Sequence, residues 1–98
     1  MRMLMTVEMD TEASNRAIKD GSLPKLMESV LEQLHPEAAY FTSHDGHRTA
    51  YMVFDLQETS QMVQISEPFY AGVNAKIDWS PVMNPQDLQE GLSRLPQR

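Results

Sequence analysis

Residues 1–9 read Met1-Arg2-Met3-Leu4-Met5-Thr6-Val7-Glu8-Met9, and the alternation in this stretch decides the fold. Side chains two apart share a face of an extended chain, so Met1, Met3, Met5, Val7 and Met9 lie on one side. Arg2, Leu4, Thr6 and Glu8 lie on the other. One side is wholly apolar and the other mixed, as in a strand that packs one face against helices.

Working outward, Thr11 opens a polar stretch through Asp20 that can be helical, with Ala13, Ala17 and Ile18 as its apolar side. Asp20-Gly21-Ser22-Leu23-Pro24 then breaks the chain: Gly21 can end one turn, Ser22 can cap the next, and Pro24 fits only a first helical turn. Leu23, Leu26, Met27, Val30, Leu31 and Leu34 follow the spacing of a helix packed on one side, which should stop near His35 because Pro36 cannot continue it. Residues 38–43 and 48–54 are rich in aromatic and β-branched side chains and flank His44-Asp45-Gly46-His47, whose Asp-Gly pair predicts a β-hairpin.

A helix starting near residues 58–60 should turn Met62, Val63, Ser66 and Phe69 inward until Pro68 kinks or ends it, with a short helical turn after it closed by Gly72 or Asn74. Residues 75–82 alternate again, with Ala75, Ile77, Trp79 and Pro81 on one face and Lys76, Asp78, Ser80 and Val82 on the other. Asn84-Pro85-Gln86-Asp87 has the cap, proline and acid of a helix start, so a terminal helix should turn Leu88, Leu92 and Leu95 inward.

The expected fold is therefore α+β, a single ferredoxin-like β-α-β-β-α-β domain over residues 1–98 with an antiparallel four-stranded sheet and a C-terminal helix. Right-handed crossovers place the first and third strands centrally and the fourth beside the first, which sets Glu8 near Lys76. Helices cover only one face of such a sheet. The mixed face, with Leu4, Thr6, Tyr51, Val53 and Val82, needs another cover, and a second copy set sheet against sheet is the simplest.

Composition narrows the function. Fourteen acidic against eight basic residues give a formal charge of −6, which disfavours binding to a phosphate backbone. With no cysteine, disulfides, thiolate metal sites and cysteine nucleophiles are excluded, and a cytoplasmic location is expected. The opening apolar run is too short for a signal peptide, and no segment has the length of a membrane span. Eight methionines in 98 residues stand out, four of them on the apolar side of residues 3–9 or just before it. Methionine suits an irregular core and a pliable pocket equally.

Several stretches carry a resemblance: Ile18-Lys19-Asp20-Gly21-Ser22-Leu23-Pro24, Pro36-Glu37-Ala38-Ala39-Tyr40-Phe41-Thr42, Asp45-Gly46-His47-Arg48-Thr49-Ala50, Glu67-Pro68-Phe69 and Pro81-Val82-Met83-Asn84-Pro85-Gln86-Asp87-Leu88. Together they make the chain similar to an uncharacterised bacterial family of the dimeric α+β-barrel superfamily, to which the antibiotic-biosynthesis monooxygenases also belong. The resemblance implies the fold and a homodimer formed through the sheet face. It brings no established catalytic residue, so catalytic residues stay unknown, and it implies no cofactor.

Three groups of residues bear on chemistry. His44 and His47 bracket the hairpin turn but lack convergent third and fourth ligands, so exposed loop histidines and no metal are expected. Glu8, Tyr51, Lys76 and Asp78 share the mixed face, either as an acid-base set or, by preference, as an ion pair at a dimer seam. Met5, Met52, Phe54, Phe69, Tyr70 and Trp79 form either an apolar ligand pocket or core. No Gly-x-Ser-x-Gly elbow and no phosphate-binding glycine loop occurs. Two functions follow: a homodimeric small-molecule-binding protein taking a small apolar ligand, or a cofactor-independent monooxygenase or isomerase acting on an aromatic or polyketide-like molecule.

Overall fold

A computed structural model describes residues 1–96 of the chain. The elements run β1 (Arg2–Glu8), α1 (Thr11–Lys19), α2 (Ser22–Leu34), β2 (Ala38–His44), β3 (His47–Asp55), α3 (Gln61–Val73), β4 (Lys76–Pro81) and α4 (Pro85–Ser93). The described residues are α+β, with four helices and one antiparallel sheet in the order β2-β3-β1-β4.

β1 is central and fixes the register on both sides. Met5 stands opposite Met52 of β3 and Trp79 of β4, and Glu8 stands opposite Thr49 and Lys76. Along β1, Met3, Met5 and Val7 are buried while the residues between them are half-exposed, so the alternation read from the sequence becomes two faces. Slipping the strand by one residue would expose all three and bury Arg2 and Glu8, a cost no competing pairing offsets.

The apolar face carries the core. Met5, Val7, Met52, Phe54, Phe69 and Val73 are almost wholly inaccessible, and Leu23, Val30 and Ile65 close over them from α2 and α3. Each large side chain contributes about 1.5–3 kcal/mol relative to an exposed one. The methionines of β1 thus serve packing. Polar atoms inside are matched: Ser14, fully buried on α1, accepts a 2.6 Å hydrogen bond from Arg48 Nη1, so this α1 side chain is tied to the sheet.

Local chemistry sets the joints. Gly21, at φ 81°, lies between α1 and α2 in the left-handed region that suits glycine. Gly21 rather than Ser22 holds the N-cap position of α2. Ser22 donates its backbone N–H to Asp20 Oδ1 at 2.8 Å, and the Ser22 hydroxyl and N–H hold the Asp20 carboxyl below its ordinary range. In the hairpin, Asp45 and Gly46 both have positive φ (51° and 78°), the two-residue turn whose twist matches its strands.

Two helices depart from expectation. Pro68 does not end α3, which runs unbroken to Val73 and closes on Asn74 at φ 48°. Proline deletes only the hydrogen bond to Gln64, whose residue is exposed, while Ile65, Ser66, Phe69 and Val73 pack inward on both sides of the gap. The inward face differs at one position: Met62, Ser66 and Phe69 pack inward as expected and Ile65 joins them, whereas Val63 is 64 % exposed.

The second departure is α4. Asn84 and Asp87 form the expected capping box, with Asp87 N–H donating to Asn84 Oδ1 at 2.7 Å and Asn84 N–H to Asp87 Oδ2 at 3.1 Å. Yet Leu88, Leu92 and Leu95 do not turn inward; every residue from 85 to 96 is exposed. The core face of the sheet is covered by α1, α2 and α3, and α4 adds no buried residue to it. The radius of gyration, 16.0 Å, exceeds the roughly 13 Å of a compact chain this long.

Replacing Phe69 with alanine should cost about 3–5 kcal/mol in urea denaturation, because a fully buried ring leaves a cavity. Val63→Ala should stay within about 0.5 kcal/mol. Equal losses at the two positions would contradict the helix orientation described.

Candidate functional site

Four of the six residues read as pocket or core are core. Met5, Met52, Phe54 and Phe69 are sealed between the sheet and its helices at 1 % exposure or less. Tyr70 and Trp79 are not. Tyr70 is 45 % exposed on α3, and Trp79 lies half-buried on β4 at the rim of the core.

Trp79 is held by two contacts of different kinds. Its ring meets Phe54 edge-on, with centroids 5.7 Å apart and planes at 77°, the arrangement the aromatic quadrupole favours. Its indole N–H donates to Ser66 Oγ at 3.0 Å. One edge of the indole is therefore locked to the body while the other faces a groove. Met62, Val63, Ser66, Glu67, Tyr70 and Trp79 line this groove, which encloses about 240 Å³. It is apolar apart from the Glu67 carboxylate and the Ser66 hydroxyl, and it falls just below the roughly 300 Å³ at which ligand pockets usually begin.

Glu8, Tyr51, Lys76 and Asp78 do come to one face. Register sets Glu8 against Lys76, and Thr6 against both Tyr51 and Asp78. Among the described residues none of the three charged groups forms an ion pair. Lys76 and Asp78 are exposed, and Glu8 and Tyr51 are half-buried. No helix covers this face, so the set lies open with Leu4, Thr6 and Val53.

His44 and His47 pair across the last rung of the hairpin. His44 Nε2 lies 3.3 Å from Asp45 Oδ2, and His47 Nδ1 lies 3.5 Å from Thr11 Oγ1. The two rings thus have separate partners. No group of three or more metal-ligating side chains gathers among the described residues.

Two features escaped the sequence reading. Ser66, expected only as an inward position of α3, turns out to anchor the indole; the signal was there, since a partly buried tryptophan N–H requires an acceptor. The other is an ion triad at the far end of the open face. Arg2 Nε donates to Glu37 Oε1 at 2.5 Å and Arg2 Nη1 to Asp87 Oδ2 at 3.2 Å, joining β1, the segment before β2, and α4. The Glu37 hydrogen bond and charge hold the Arg2 guanidinium above its already high range. These residues are 35 and 85 positions apart in sequence, and only the fold brings them together.

No protein-family model matches the chain, and no curated protein matches it. No helix among the described residues is long and apolar enough to cross a membrane.

Ser66→Ala should lower stability by about 1 kcal/mol, the usual worth of such a hydrogen bond, and should shift the emission maximum of Trp79, the single tryptophan. Unchanged emission and stability would show that the bond does not hold the indole.

Proposed function

We propose that the protein is a homodimeric small-molecule-binding protein of the ferredoxin-like, dimeric α+β-barrel kind, working in the cell interior. The observation that carries the reading is the inequality of the two sheet faces. Helices bury one, whereas Leu4, Thr6, Tyr51 and Val53 on the other are only half-covered by one another. A patch of this sort, Leu4, Tyr51 and Val53 among polar neighbours with no helix over it, suits an interaction surface. A second copy is self-complementary by symmetry and would bury the patch on both chains at once.

Ligand binding belongs on the helix side of the sheet. The groove beside Trp79 presents an aromatic face, the Tyr70 ring and apolar Met62 and Val63, with Glu67 as the one charged group. That chemistry suits a small aromatic molecule, with a preference for one carrying a positive charge that Glu67 can meet. The groove lies open at the surface and its Trp79 wall is held in place by the Ser66 bond, which suits reversible binding of a small molecule better than chemistry that needs water excluded. Binding is favoured over the monooxygenase or isomerase alternative on that ground.

Sedimentation equilibrium should give a dimer at micromolar concentration, and Leu4→Asp should return it to a folded monomer by burying a charge in the interface. A wild-type monomer at about 100 μM would overturn the dimer.

Titration with small aromatic amines should produce a saturable change in Trp79 emission, weakened about tenfold or more in Tyr70→Ala. No saturable change up to about 10 mM would overturn the ligand site.

A further inference from the structure

We infer that α4 is an exchange arm, packing its apolar stripe on a second copy of this chain across the edge strand β2; the inference rests on the dimer proposed above. Its basis is a helix with a well-specified start whose own residues are all exposed. The capping box and Pro85 fix where α4 begins; Leu88 and Leu92 fall at i and i+4 on one side of it, 49 % and 56 % exposed, and Leu95, 60 % exposed, follows just past the C-cap Arg94. An isolated helix this short gains little from its own hydrogen bonds, so an ordered one normally packs its apolar side on something.

The area agrees with a partner. A compact monomer of 11.2 kDa exposes about 5,700 Å², whereas this chain exposes 6985 Å². The surplus, about 1,300 Å², exceeds the roughly 800 Å² that each partner gives to a standard stable interface. The chain's long dimension of 60 Å, against 28 and 19 Å in the other two directions, is that of a body with an extension.

The direction of the arm is set by the Arg2 triad. Arg2 is on the open face of β1, and its contact with Asp87 holds the first turn of α4 on that side of the sheet. Between β4 and α4 the chain bends around an apolar hollow of about 490 Å³, bordered by Pro81, Val82, Met83, Pro85 and Leu88. Met83 there is 68 % exposed.

The best match for these surfaces is at the other edge of the sheet. Tyr40 of β2 is 71 % exposed and lies on the open face, opposite Tyr51. Within one chain α4 leaves it exposed, although the Arg2 triad ties Asp87 to Glu37 just before β2. When two sheets meet about a two-fold axis running along their strands, each β4 edge faces the partner's β2 edge. α4 of each chain then crosses onto the exposed β2 edge of the other. Leu88, Leu92 and Leu95 carry no charge, so their contact brings no like charges together between two chains of formal charge −6.

The test uses the full chain with Leu88→Glu and Leu92→Glu together, beside wild type, in sedimentation equilibrium over a concentration series. Because no residue of α4 is itself buried, circular dichroism should show the body intact. The expected result is a dimer dissociation constant raised about a hundredfold or more. A dimeric wild type with an unchanged constant in the double variant would overturn the exchange arm and leave the dimer standing. A monomeric wild type would overturn both. A second arm uses the absence of native cysteine: Tyr40→Cys combined with Leu92→Cys should form intermolecular disulfide on oxidation. Cross-linking no greater than that of either single variant would count against the β2 edge as the docking site.

Discussion

The pairing of β1 with β3 on one side and β4 on the other is the constraint on which the molecule depends. Its alternation divides the sheet into a face made of methionine, valine and aromatic side chains and a face of mixed character. Because side chains on a strand repeat every two residues, register and burial are one fact here. All helical packing, from Leu23 and Val30 to Ile65 and Phe69, is fitted to the first face. What remains unequal is the second. A chain of 98 residues provides three helices for one face and then spends its last helix away from the core.

That distribution bears on function more than any single polar residue does. The large side chains that could have walled a chamber, Met5, Met52, Phe54 and Phe69, are packed into the core instead. Chemistry is left to the surfaces. One is the groove where Trp79 is gripped between Phe54 and Ser66 and leaves its outer edge free. The other is the open face with its Arg2 triad, which ties the strand that defines the register to the helix that leaves the body.

Much of this was legible in the sequence because the deciding features are local. The β1 alternation, the Asp45-Gly46 turn, the Asn84-Asp87 cap and the leucine spacing of α2 each act over a few residues, and each is found where it was read. The misreadings came from competition at longer range. Pro68 is a helix breaker by intrinsic preference, but α3 is held by core contacts before and after it, and packing outweighed the one lost hydrogen bond. Leu88, Leu92 and Leu95 were read as inward because apolar periodicity marks a side of a helix suited to packing, without fixing what it packs on; in the fold they are exposed. Of the candidate site, the grouping of Glu8, Tyr51, Lys76 and Asp78 followed from topology, whereas the Ser66 anchor and the Arg2 triad depend on tertiary placement that spacing does not encode.

The central claim is that the open face is covered by a second copy, and hydroxyl-radical footprinting of the tyrosines across a dilution series tests it most directly. Tyr51 lies on the open face, while Tyr70 lies on the helix side and supplies an internal reference. The expected result is that Tyr51 oxidation falls steeply as concentration rises through the dimer dissociation constant while Tyr70 oxidation stays level. Tyr51 reactivity that is constant relative to Tyr70 from nanomolar to high micromolar protein would contradict it.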